Sequence, residues 1–144
     1  MKSLVIGLGL CATLLSAVSP AWAEMPRSSA PADAAVYFIE PADGATLRQT
    51  FTVKFGLKGM GVAPAGVDVP QTGHHHLLID LKQAPAMDQP LPMTDNVRHF
   101  GKGQTETELT LPPGKHTLQL LVGDKNHMPL DPPVISKTIN VTVK

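Results

Sequence analysis

From residue 35 onward, apolar side chains recur at every second position, in short runs separated by Gly- and Pro-rich punctuation. A period of two marks strands with one buried face, whereas a helix would repeat near 3.6. Seven strands are predicted: Val36 to Glu40, Phe51 to Leu57, His74 to Leu81, Val97 to Phe100, Gln104 to Leu111, His116 to Val122 and Val134 to Val143. In the second, Phe51, Val53, Phe55 and Leu57 share one face while Thr52 and Lys54 take the other. In the third, Leu77, Ile79 and Leu81 define the inward face, which makes His75 inward and leaves His74, His76, Leu78 and Asp80 outward. Thr105, Thr107, Leu109 and Leu111 face inward in the fifth, so Glu106 and Glu108 fall on its solvated face. Ile139, Val141 and Val143 point inward in the last.

The breaks fit this reading. Pro41-Ala42-Asp43-Gly44 and Pro112-Pro113-Gly114 are turn sequences in which Pro presets φ and Gly tolerates a positive one. Gly101-Lys102-Gly103 is expected to join the fourth and fifth strands as a hairpin. Residues 82–96 form a long connection, containing Pro and Met, to which the pattern assigns no conformation. No helical period follows residue 24, so the crossovers of a parallel sheet are lacking. The expected architecture is all-β: an immunoglobulin-like sandwich of two antiparallel sheets.

The beginning of the chain reads differently. Lys2, an apolar run from Leu4 to Val18 and the ending Ala21-Trp22-Ala23 are the parts of a secretory signal peptide, expected over residues 1–23. The run is too short, and too interrupted by Gly7, Gly9 and Pro20, for a membrane span. Cys11 follows Leu10 inside it, which does not suit lipid attachment, so no membrane anchor is expected after cleavage. The mature chain then lacks cysteine, which rules out disulfides and thiolate metal sites. Residues 24–34, rich in Ser, Pro and Ala, read as a flexible leader, and residues 35–144 as one domain. A periplasmic or secreted location follows. Removal of Lys2 leaves 11 basic against 12 acidic side chains, which offers no nucleic-acid surface.

The chemistry is concentrated in six histidines between positions 74 and 127. In a sandwich of seven strands, the loops after the second, fourth and sixth share one pole. That topology gathers the triplet His74-His75-His76, His99 and His127 there and leaves His116 at the other end. His74 and His76 share a strand face about 7 Å apart, within reach of one ion. His127 is the first choice for a third ligand and His99 the next, with Asp124 and Asp131 nearby in sequence. Imidazole without thiolate suits Zn(II) or Cu(II). His75 reads as a core histidine hydrogen-bonded to backbone, and His116 as an exposed turn residue. Met60, Met87, Met93 and Met128 are scattered through loops as gap fillers, and only Met128 adjoins a histidine.

No serine lies in a nucleophile-elbow sequence, and no acid is marked as the general base a metallohydrolase needs. An enzyme is therefore not the expectation. The expected function is that of a metal-binding module acting as carrier or buffer. The alternative is a structural domain, or one that binds an envelope protein, whose histidines form a hydrogen-bond network.

Three strings in order resemble a known family: Gly73-His74-His75-His76-Leu77-Leu78-Ile79-Asp80; His99-Phe100-Gly101-Lys102-Gly103-Gln104-Thr105-Glu106; and Pro113-Gly114-Lys115-His116-Thr117-Leu118-Gln119-Leu120, continuing through Gly123-Asp124 to His127, Pro129 and Asp131-Pro132-Pro133. They are similar to domain of unknown function 4399 over residues 35 to 144. The resemblance implies an exported bacterial β-domain and no established activity. The family's pattern also implies a second histidine shortly after His127, where this chain has Leu130.

Overall fold

The computed structural model describes residues 25–144, so the expected signal peptide lies outside the described residues. Among the described residues nine strands form: β1 (Ala35–Glu40), β2 (Thr46–Leu47), β3 (Thr50–Lys58), β4 (Gly61–Val62), β5 (Thr72–Ile79), β6 (Val97–His99), β7 (Glu106–Thr110), β8 (Gly114–Gly123) and β9 (Ile139–Val143). One sheet has the order β1-β3-β7. The other runs β2-β9-β8-β5-β4, with β6 also paired to β5. The long ladders are antiparallel, and the parallel pairings, β2 with β9 and β4 with β5, span two residue pairs each. The expected two-sheet, immunoglobulin-like sandwich is the observed architecture.

Alternation builds the core between the sheets. Val53 and Phe55 of β3 and Leu109 of β7 meet Leu77 and Ile79 of β5, Leu118, Leu120 and Val122 of β8, and Val141 and Val143 of β9. Each fully buried aliphatic side chain of this kind contributes about 2 kcal/mol. Gly44 takes the positive φ its turn requires.

Four local expectations are corrected. First, β6 pairs with β5 rather than forming a hairpin with β7: His76, Leu77 and Leu78 are the partners of His99, Arg98 and Val97. Second, the outward face of β5 is not exposed, since every residue from Gly73 to Ile79 is buried. The connection after β5 folds back over that face, and Leu78, Leu91, Val97 and Leu121 form a second apolar cluster with Leu81, Met87 and Ile135 around it. Leu81 joins this outer cluster instead of the core because Asp80 adopts a positive φ, which breaks the alternation. Third, the last strand is interrupted. Between the Leu118–Ile139 pair and the Leu121–Ile135 bridge, three steps along β8 oppose four along the partner, a bulge. The Ser136 hydroxyl fills it, accepting from Leu120 N–H (2.9 Å) and donating to the Lys137 carbonyl (2.8 Å). Fourth, part of the expected leader is docked: Ala30 N–H donates to Asp131 O, and Asp131 N–H to Ser28 O. Main-chain pairing needs no apolar signature in the sequence.

At the end of β5 remote from His74, Asp80 clamps β8. Its carboxylate accepts from Thr117 N–H (2.9 Å) and from His116 Nδ1 (2.7 Å), while His116 Nε2 donates to the Pro112 carbonyl (2.8 Å). Two acceptors against two ring nitrogens favour the imidazolium, so the hydrogen bond to Asp80 raises the His116 pKa. A raised folded-state pKa stabilises fully below the unfolded value near 6.5 and fades as pH rises through the folded one. His116→Gln should therefore cost about 1 kcal/mol at pH 5.5, a charged hydrogen bond discounted for solvent. The difference from the parent in urea unfolding should shrink as pH rises beyond about 6.5, and a gap that grew with pH would contradict the assignment.

Candidate metal centre

Strand pairing accounts for the first three members of the cluster. His74 and His76 lie on the outer face of β5, and His99, the cross-strand partner of His76, shares that face. His127 arrives from the loop between β8 and β9. That loop is closed by hydrogen bonds from Asp124 N–H to Met128 O (2.8 Å) and from His127 N–H to Asp124 O (2.9 Å). His127 sits in the left-handed region at φ 64°, which costs a non-glycine residue about 1–2 kcal/mol. The loop's hydrogen bonds hold it there.

The four rings form one compact group. Centroids are 4.8 Å apart for His74 and His76, 4.9 Å for His74 and His99, 5.1 Å for His74 and His127, and 4.6 Å for His99 and His127. His76 stands 5.1 Å from His99 and 6.2 Å from His127. One nitrogen from each of His74, His99 and His127 lies within 4.8 Å of the others, a spacing that could hold a metal ion. His76 lies behind this triad, so the structure groups His99, the reserve ligand of the sequence reading, ahead of His76. Asp124 is committed to its own loop, accepting from Asn126 and Met128 N–H and from the Ser28 hydroxyl. Asp131 pairs with Arg27. Met128 is fully buried, Met60 and Met87 pack on the two apolar clusters, and Met93 is exposed. Leu130 belongs to the main core.

The two inner rings are buried, and most of their nitrogens lack partners. His74 and His76 are 1% and 0% exposed, while His99 and His127 are half-buried and form the side facing solvent. His74 Nε2 meets His99 Nε2 at 3.1 Å, but His74 Nδ1 and both nitrogens of His76 make no hydrogen bond. A hydrogen-bond network would have satisfied them, since buried polar atoms are nearly always paired. Burial, reinforced by the neighbouring rings, pushes the His74 pKa down to about 4 and the His76 pKa to about 3, and burial also lowers that of His99. The imidazoles of all three are thus neutral at pH 7, the form that ligates metals.

His75 points the other way, into the core, 5.1 Å from Phe55. Its inward placement matches the alternation, but the expected backbone hydrogen bond does not form in normal geometry. Burial lowers its pKa to about 4, an effect the Gln104 main chain partly opposes.

Sequence reasoning missed two glycines. A Cβ on Gly101 would stand 2.2 Å from His99 Cε1 and 2.6 Å from its Nε2, and one on Gly123 would stand 2.8 Å from His76 Cε1. Both make room for an imidazole rather than for a turn. The Gly101-Lys102-Gly103 string carries a signal for the first, read only as a turn.

Two outcomes follow. Gly101→Ala should displace the His99 ring, visible as altered imidazole resonances of His99 and His74, with the rest of the spectrum conserved. The metal-free protein should also lose stability as pH falls from 6.5 towards 4.5. The depressed folded-state values of His74, His75 and His76 mean that the unfolded chain takes up more protons across that window. Urea midpoints constant from pH 7 to 4.5 would refute that assignment.

Comparison with known proteins adds family membership. No curated protein matches the chain. Among solved structures it is similar to the endo-beta-1,4-mannanase from Thermotoga petrophila, at 19% identity and TM-score 0.46, covering 78% of this chain and 20% of that one. It is also similar to the fibronectin(III)-like modules of CbhA from Clostridium thermocellum, at 12% identity and TM-score 0.36, covering 75% and 92%. The chain spans a fifth of the mannanase, and neither likeness bears on activity; the fold rests on the strand pairing above. The model of the family described as Domain of unknown function (DUF4399) matches residues 53–144, more than half of the chain and every histidine of the cluster, so the protein belongs to that family.

Proposed function

We propose that this protein is an exported metal-binding module, periplasmic or secreted, that holds one Zn(II) or Cu(II) ion as a carrier or buffer. His74, His99 and His127 supply the first ligands and His76 stands in reserve. The observation that carries the reading is the convergence of four imidazoles from three separate segments, with buried nitrogens left without partners. Neutral nitrogen donors without thiolate or free carboxylate suit these borderline ions better than Mg(II) or Ca(II). A hydrogen-bond network is disfavoured by the same unpaired nitrogens. A resident ion would take one nitrogen from each ligating ring and so repay part of the cost of burying imidazole. Among the described residues the nearby acid, Asp124, is committed to hydrogen bonds and is not free to act as a general base, which favours binding over turnover.

Calorimetric titration of the metal-free protein should give close to one equivalent of Zn(II) or Cu(II). His74→Ala and His99→Ala should each weaken binding by more than the roughly 10–100-fold typical of groups that only support a ligand, whereas His116→Ala should leave it intact. Absence of binding at micromolar metal, or equal binding by the His74→Ala/His99→Ala double variant, would end the proposal.

A further inference from the structure

The loop that presents His127 is held from outside as well as from within. Asp124 Oδ1 accepts from Asn126 N–H (2.8 Å) and Met128 N–H (3.0 Å), which folds the loop over His127. Its other oxygen, Oδ2, accepts from the Ser28 hydroxyl at 2.8 Å, 96 residues earlier in the chain. Arg27 grips the exit of the same loop: Nε donates to Pro129 O (3.0 Å), a second guanidinium nitrogen donates to Leu130 O, and Nη1 lies 3.6 Å from Asp131. Ala30 N–H and Ser28 O complete the pairing with Asp131. On the opposite side, the His127 carbonyl accepts from Leu91 N–H (2.9 Å), and Leu91 is seated in the outer apolar cluster.

Asp124 is 2% exposed, and a buried carboxylate that lost one of its three donors would bear a desolvation cost. Rearrangement of the loop it folds, whose backbone is strained at His127, would relieve that cost.

We propose that the segment from Arg27 to Ala30 is a strap whose role is to position His127, with Ser28 acting through Asp124 and Arg27 through the carbonyls that follow the loop. Ser28 and Arg27 are positioning residues and touch no ligand. The inference rests on the metal-binding reading for its functional consequence, although the positioning itself is a property of the metal-free chain. The strap makes assembly of the site depend on residues that sequence patterning assigns to a leader.

The test uses Ser28→Ala, Ser28→Thr, His127→Ala and the Ser28→Ala/His127→Ala double variant. Ser28 is exposed, so its replacement leaves the core untouched. In the metal-free protein, Ser28→Ala should speed amide hydrogen exchange at Asn126 and Met128 at least about 10-fold, and Ser28→Thr, which keeps the hydroxyl, should restore the parent rate. In Zn(II) competition titrations, Ser28→Ala should weaken binding about 10-fold, with no further loss when added to His127→Ala. Unchanged exchange at those amides, or an equal loss of affinity in both backgrounds, would overturn the strap. If the parent protein binds no Zn(II), the metal reading falls, and the exchange measurement alone upholds or overturns the positioning role.

Discussion

The structure turns on a strand that is buried on both faces and carries three consecutive histidines. Strand β5 gives His75 to the core between the sheets and His74 and His76 to a face roofed by the chain that follows it. Three imidazoles are thereby withdrawn from water, and five of their six ring nitrogens make no hydrogen bond. Desolvation dominates each of the three and keeps the rings uncharged at neutral pH. A polar group in that condition is costly to a fold unless something returns what water gave it.

What surrounds β5 can be read as the means of assembling a ligand set. Pairing with β6 brings His99 opposite His76, and the strained turn after β8 brings His127 over His74. The two glycines that yield space to the rings, Gly101 and Gly123, belong to the turn after β6 and to the end of β8. Two of the imidazoles thus sit on β5 and two come from elements at its margin. That division separates an inner, preorganised pair from an outer, solvent-facing one.

Most strands and the inward faces were legible from alternation alone, because Val53, Phe55, Leu77, Ile79, Leu109, Val141 and Val143 each report the same buried face. The convergence of His74, His76, His99 and His127 was legible too, although for His99 the reasoning led through the wrong partner. A three-residue strand followed by Gly101-Lys102-Gly103 looks like half of a hairpin, and nothing local records that Val97 has an apolar neighbour in Leu78 across the sheet edge. Burial of the outward face was illegible for a related reason: the roof is a Pro-rich connection without a period, in which Leu91 is a single contact point. The pairing of Ser28 and Ala30 with Asp131 uses main-chain bonds, which leave no trace in side-chain pattern.

The outer rim of β5 is covered in two pieces that run in opposite directions. β4 lies parallel beside Thr72 and Gly73, and β6 lies antiparallel beside His76 to Leu78. Long, straight, unpaired rims are where sheets recruit other chains and polymerise, and natural proteins interrupt them with short or irregular segments. Here the pairing changes hands between Gly73, whose carbonyl accepts from Ala63 N–H, and His75, whose carbonyl accepts from Phe100 N–H, so this margin offers a neighbouring molecule no continuous template for strand addition.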